Sequence, residues 1–309
     1  MLEDDLPEKP MLLVLTAAGE LPDAALDAYE THVRAYRRLR FDARTAMLLV
    51  DAVPRGERGP VARVSAMHGH DHAWLEAPPR RLESFALMLF DMDSTLIPIE
   101  CIDELAVRKG CAQAVAALTA QAMEGREQDY DRSLRERVRL LAGLPTSELQ
   151  WVRTHRVRLN PGAEALVAAA HAAGLRTGIV SGGFDVFTEA LRHELGLSFA
   201  HGNRLVVEGG VLTGELEGIL VNAGRKAAVL REACHLYGCE PHQAIAVGDG
   251  ANDIDMMAAA GLAVGFRPKE IIAGFADIVL RTRLDGLAHL LDAGCAAWAD
   301  IPRQPGVCP

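Results

Sequence analysis

Three short apolar runs in this chain each break off into a turn rich in aspartate, glycine or serine. Phe85-Ala86-Leu87-Met88-Leu89-Phe90 runs into Asp91-Met92-Asp93-Ser94-Thr95. Thr177-Gly178-Ile179-Val180 runs into Ser181-Gly182-Gly183. Ala244-Ile245-Ala246-Val247 runs into Gly248-Asp249-Gly250-Ala251-Asn252-Asp253. An unbroken apolar run of this length is how a strand buried on both faces reads, and such strands belong to parallel sheets covered by helices. Helical segments lie between and after the runs. Pro161-Gly162 opens one that Gly174 stops, Phe184 to Leu195 forms a second, Lys226 to Tyr237 a third, and Ile254 to Ala260 a fourth. Leu262-Ala263-Val264 and Ile278-Val279-Leu280 add strands before a closing helix up to Leu291. This alternation predicts an α/β fold with a Rossmann-like parallel sheet.

Three stretches stand outside the alternation. Ile102 to about Thr154 is helical throughout and reads as a cap inserted between the first and second core strands. Arg204 to Leu216 reads as a hairpin turning at Gly209-Gly210. The first 84 residues read as a small α/β domain with a regulatory or oligomerising role: a strand at Met11–Leu15, a helix from Pro22 to about Arg38, and a strand at Ala46–Val50. Leu26, Tyr29 and Val33 mark one side of that helix. Gly56, Gly59, Pro60, Gly69, Pro78 and Pro79 then mark a loop and linker to a boundary near Arg81. The expected division is 1–84 amino-terminal domain, 85–98 and 158–292 catalytic core, 99–157 cap, and 293–309 a loose tail.

Composition narrows the partners. The net charge is -10 and no long basic run occurs, which speaks against nucleic acid or an anionic membrane. An anionic substrate stays open, because a few local cations and a metal override net charge. The six cysteines form no CxxC pair, and Glu3, Asp4 and Asp5 are the opposite of a secretory leader, so a reducing cytoplasm is expected. No apolar run reaches the ~18 residues of a membrane helix.

Ligands of such sheets bind beyond the carboxyl ends of the strands. The three turns bring there several carboxylates and one hydroxyl backed by glycines, and the helix opening with Lys226 brings a cation. Clustered carboxylates repel one another unless a cation sits among them, and Mg2+ prefers hard oxygen ligands. A lysine and a hydroxyl facing that cluster suit a phosphoryl group. A carboxylate beside both is then the natural nucleophile.

Together these residues resemble the haloacid dehalogenase superfamily. Its DxDxT motif stands as Asp91-Met92-Asp93-Ser94-Thr95, its serine as Ser181, its lysine as Lys226, and its GDGxND motif as Gly248 to Asp253. Leu96-Ile97 with Glu100, Ala122-Met123-Glu124-Gly125, Ser133-Leu134-Arg135-Glu136-Arg137-Val138, Val180 to Phe184 and Asn203-Arg204 are similar to the branch that cleaves phosphoserine. The match spans roughly residues 85 to 292. The resemblance implies hydrolysis of O-phospho-L-serine to L-serine and phosphate through an aspartyl phosphate, the last step of serine biosynthesis. In that scheme Asp91 is the nucleophile and Asp93 the acid and base, its pKa raised by Asp91 and the phosphate. Asp91, the Asp93 carbonyl and Asp249 hold Mg2+. Ser181, Gly182, Lys226 and Asn252 bind the phosphoryl group, and Asp253 orients Lys226 or a metal-bound water. Glu100 pairs the substrate ammonium and Arg137 the carboxylate. A spacer one residue longer than in short members leaves either Asp129 or Tyr130 facing the substrate. Transfer to another hydroxyl, such as that of homoserine, and cleavage of a different small phosphomonoester are the alternatives. The first 84 residues loosely resemble the amino-acid-binding modules of bacterial relatives, through which a homodimer is expected.

Three features are read as structural. His68-Gly69-His70-Asp71-His72 is taken as a solvated loop, Cys234, His235 and Cys239 as helix packing, and Met256-Met257 as core filler.

Overall fold

The computed structural model describes residues 10–124 and 128–299. Gly125 and residues 300–309 lie outside the described residues, as do the side chains of Ala122, Met123, Glu124 and Asp129. Residues 293–299, expected to be loose, instead continue the closing helix to Ala299, with Ala297 buried.

The strands are β1 (Met11–Thr16), β2 (Ala35–Arg40), β3 (Thr45–Val50), β4 (Asp71–Glu76), β5 (Leu87–Phe90), β6 (Arg176–Phe184), β7 (Phe199–Glu208), β8 (Val211–Glu217), β9 (Ala244–Gly248), β10 (Leu262–Phe266) and β11 (Ile278–Leu280). They form one sheet in the order β2-β3-β1-β4-β11-β10-β9-β5-β6-β7-β8. From β11 to β7 every pairing is parallel, as unbroken apolar runs require. The four side chains of β5 are wholly buried and alternate between two cores. Leu87 and Leu89 pack with Val229 and Leu230, and Met88 and Phe90 with Leu166 and Val167.

The helices are α1 (Asp23–Glu30), α2 (Gly59–His68), α3 (Cys101–Lys109), α4 (Ala112–Glu124), α5 (Gln128–Arg139), α6 (Thr146–His155), α7 (Ala163–Ala172), α8 (Asp185–Leu195), α9 (Ala223–Tyr237), α10 (Ile254–Ala259), α11 (Glu270–Ala273) and α12 (Gly286–Ala299). Helices α3 to α6 lie between β5 and β6. The β7–β8 hairpin reaches this helical group: Pro145 bridges Val211, and Gly143 donates to the Leu212 carbonyl at 2.7 Å. Met256 and Met257 are core residues, and Cys234 is buried with Cys239 packed against the same core.

The first 84 residues differ from expectation in three respects. The helix stops at Glu30, and after a turn the chain from Ala35 to Arg40 is the edge strand β2, tied back by Arg38 to Asp27 and Glu30 at 2.5 and 2.9 Å. The expected linker contains α2 and β4. Gly59 and Pro60 start the helix, and Gly69, at φ 68, caps its end. The His68–His72 run is no solvated loop: His70, Asp71 and His72 are buried where β4 begins. Strand β4 pairs antiparallel with β11, Ala73 opposite Ile278 and His72 opposite Val279. Asp277 secures that seam, accepting from Arg55, from Arg58 at 2.7 Å and from the Ala263 N–H at 2.8 Å.

Candidate active site

Asp91 is the first residue after β5. Its N–H donates to the Val247 carbonyl of β9, so the two central strands deliver their following turns to one place. Ser94 at φ 59 turns the chain sharply after Asp93, a left-handed conformation costly for a non-glycine residue. Asn160 holds the far side of this turn, donating from Nδ2 to the Thr95 carbonyl at 2.8 Å.

Lys226 lies in the first turn of α9, whose start Asn222 caps by accepting from the Arg225 N–H. Its side chain is fully buried, with Nζ 2.9 Å from Asp91 Oδ2 and 2.7 Å from Asp253 Oδ1. The other Asp253 oxygen accepts from the N–H groups of Asp249 and Gly250, each at 3.1 Å. Asp253 is thus fully engaged as the clamp of Lys226. Burial pulls the lysine pKa down, but Asp253 and Asp91 outweigh it and the net shift is upward, so the ammonium keeps its charge.

Asp91, Asp249 and Asp253 bring carboxylate oxygens within 4.8 Å of one another. Burial pushes Asp91 up, Lys226 pulls it back, and Asp253 and Asp249 push it up again. Burial lifts Asp249 to about 6. Asp249 is loosely held, with Thr95 Oγ1 at 3.5 Å and Lys269 Nζ at 3.6 Å. Such crowded hard-oxygen donors, with one buried lysine and a more distant Lys269 beside them, fit Mg2+. The Asp93 carboxylate is not in this cluster. Its Oδ1 accepts from the Cys101 N–H at 3.1 Å, and burial, then Glu100, push it up to about 7. The expected direction is met, but the cause is burial and Glu100 rather than Asp91.

Ser181 is buried, its Oγ accepting from the Gly183 N–H at 3.0 Å. The glycines behind it answer to close approach. A Cβ on Gly183 would stand 2.5 Å from Asp93 Oδ2, and one on Gly182 would stand 2.1 Å from the Tyr130 hydroxyl. Asn203 holds the Gly182 carbonyl at 2.8 Å.

A cavity of about 720 Å³ opens over these groups, lined by Asp91, Asp93, Ser181, Gly182, Asp249 and Asn252. Glu100 and Arg137 line it too, and Lys226, with Asp253 behind it, reaches the cavity wall through Asp91. Glu100 accepts from the Ser94 hydroxyl at 2.9 Å. Arg137 reaches the Ser133 carbonyl and the Thr119 hydroxyl only at 3.4 Å, contacts too long to commit its guanidinium. Tyr130 lines the cavity. Lys269, also in the wall, was missed in the sequence. The strand-end rule applied to β10 finds it, because Phe266 ends that strand three residues earlier.

A fold of this kind with carboxylates, lysine and serine at the strand ends defines a class. The haloacid dehalogenase-like hydrolase model matches residues 88–258, and the chain belongs to that family. Within it the chain is a phosphatase. The phosphoserine phosphatase of Albidiferax ferrireducens is 46% identical over 220 residues, covering 70% of this chain and 92% of that protein. A solved haloacid dehalogenase family hydrolase of Salmonella enterica serovar Typhi superposes with a TM-score of 0.77 at 25% identity, over 92% of this chain and 98% of that one. A phosphoserine phosphatase solved as a phospho-aspartyl intermediate analogue gives 0.62 at 36% identity, over 66% of this chain and 98% of its own.

Proposed function

We propose that this chain hydrolyses O-phospho-L-serine to L-serine and phosphate, with Asp91 as covalent nucleophile and Mg2+ as cofactor. That reaction is the last step of serine biosynthesis. The observation that carries the reading is the buried Lys226 ammonium, clamped by Asp253 and held 2.9 Å from Asp91, whose cavity Glu100 and Arg137 share.

Asp91 attacks phosphorus, a bond from its carboxylate oxygen forms, and the bond to the serine oxygen breaks. Asp93 gives its proton to that departing oxygen. A carboxyl lifted to about 7 still holds a proton near neutrality, as an acid for a poor leaving group must. Water then attacks the aspartyl phosphate, Asp93 takes its proton, and Asp91 is released. Lys226, Ser181, the Gly182 backbone and Asn252 orient the phosphoryl oxygens. Asp91, Asp249 and the Asp93 carbonyl would hold Mg2+, which when bound supplies positive charge to the phosphoryl oxygens and relieves the carboxylate repulsion. Glu100 pairs the substrate ammonium, and Arg137 forks onto its carboxylate.

A phosphate-release assay over phosphoserine, phosphothreonine, sugar phosphates and a nucleotide tests the reading. Phosphoserine should be turned over fastest, EDTA should stop the reaction, and Mg2+ should restore it. A preference for another ester would reject the substrate, and indifference to the chelator would reject the metal. Serine release without free phosphate, in the presence of a second alcohol, would mean transfer.

A further inference from the structure

Four hydrogen bonds, in three steps, cross the carboxyl ends of β11, β10 and β9, from the amino-terminal strands to the active site. Asp71, which opens β4, accepts from the Arg281 N–H at 2.6 Å and from the Thr282 hydroxyl at 3.2 Å. The Leu280 carbonyl, one residue back, accepts from the Arg267 N–H at 2.7 Å. The Lys269 N–H, two residues on, donates to the Asp249 carbonyl at 2.9 Å. Each bond falls where a parallel strand has just ended, so the path runs along the rim that carries the chemistry.

The middle of the path is held under tension. Arg267 sits at φ 43, a left-handed conformation that a long side chain adopts only when its surroundings impose it. Its guanidinium donates to the Arg281 and Thr282 carbonyls at 3.2 and 3.3 Å, the same two residues that Asp71 holds from the other side. Arg281 in turn reaches the Ala62 carbonyl at 3.1 Å and Ser65 Oγ at 3.3 Å, both on α2. At the far end, Asp249 has only distant side-chain partners, so its backbone anchors set where its carboxylate stands.

We infer that Asp71, Arg281, Thr282 and Arg267 are positioning residues for Asp249, and that the amino-terminal strands brace the metal-binding end of the active site. The inference rests on the reading of Asp249 as a Mg2+ ligand. The strands from β1 to β4 then serve the reaction at a distance, without touching substrate. The amino-terminal layer is part of the catalytic scaffold, because β4 supplies the carboxylate on which the path begins.

Calorimetric titration of Mg2+ into the full chain, without substrate, tests this in Asp71→Asn and Arg267→Gly. Glycine suits φ 43, so the second variant removes the guanidinium fork without adding backbone strain. Partners behind a metal ligand are worth roughly 10–100-fold in affinity, so the Mg2+ Kd should rise about tenfold in each. The KM for phosphoserine at saturating Mg2+ should stay where it was. An unchanged Mg2+ Kd in both variants, even with a lowered Tm, would show the contacts to be packing alone and overturn the inference. A rise in Arg267→Gly without one in Asp71→Asn would overturn the part assigned to the amino-terminal strands. Absence of Mg2+ binding by the unaltered chain would overturn the proposed function itself, and this inference with it.

Discussion

Lys226 carries a charge that burial alone would not allow. Two carboxylates fix it, and the residues around it follow from that arrangement. Asp253 spends both oxygens on the clamp, which leaves Asp91 and Asp249 to face the cavity. Arg137 is different in kind, because its hydrogen bonds among the described residues are long, which suits its guanidinium to fork onto a ligand carboxylate. Arg137→Ala should lower kcat/KM for phosphoserine by roughly 10- to 100-fold, the worth of one or two hydrogen bonds to a charged group. p-Nitrophenyl phosphate, which has no carboxylate, should lose much less; parallel steady-state assays check the difference, and equal losses would reject the role. The aspartates and the serine of this site were legible because each follows an apolar run, whereas Glu100 and Arg137 were found through the family resemblance. Lys269 was missed because it stands three residues past the end of β10, where only the strand-end rule separates it from a surface lysine. The balance of forces on Asp93 was also hidden, because Glu100 approaches it through the fold of the turn and not through sequence spacing.

Strand β4 shows how a polar sequence becomes a core element. Its first residues include two ionisable groups held by neighbours: Asp71 by Arg281 and Thr282, and His72 through Nδ1 by Ser65 Oγ at 2.9 Å, its Nε2 being buried without a partner among the described residues. Burial, and then the nearby Arg281 and Arg58, hold His72 down to about 3, so it stays neutral in the folded state while its unfolded counterpart protonates near 6.5. The depressed folded value means stability is present above about 6.5 and drains away as pH falls toward 3. At one pKa unit per about 1.36 kcal/mol, the loss at a pH near 4 is about 3 kcal/mol. His72→Gln should flatten the dependence of urea midpoint on pH across that window; an unaltered slope would assign the acid sensitivity elsewhere. The histidine run misled because isolated polarity suggests solvent, whereas Asp71 in its middle is held by partners about 210 residues away. Glycines and prolines misled in a similar way: Gly59, Pro60 and Gly69 are the ends of a helix, and the same residues also mark loops. The overlong first helix failed for the opposite reason, since Val33 continues its apolar side by spacing while the chain has already left the helix in the turn that leads to β2.

At the scale of the molecule, one sheet passes through what the sequence divides. The catalytic strands were readable because parallel strands advertise themselves as apolar runs. The joining of β4 to β11 was not, because an antiparallel pair formed across two hundred residues leaves no local pattern. Asp277 holds that junction, with Arg55 and Arg58 both donating to a carboxylate that is itself buried. Its removal leaves buried guanidinium charge uncompensated, a situation that costs about 3–5 kcal/mol. Asp277→Ala should therefore lower the melting temperature of the whole chain in a single transition. Two separated transitions would mean that the amino-terminal strands and the core unfold independently.

The central claim is that Asp91 becomes phosphorylated by phosphoserine. Brief incubation with 32P-labelled phosphoserine, acid quenching and peptide mapping address it directly. The account predicts acid-stable, hydroxylamine-labile label on the peptide carrying Asp91. It also predicts no label in Asp91→Asn, with turnover reduced by a factor on the order of 10⁴ or more. Serine release at an undiminished rate from Asp91→Asn, or label carried by any other residue, would contradict it.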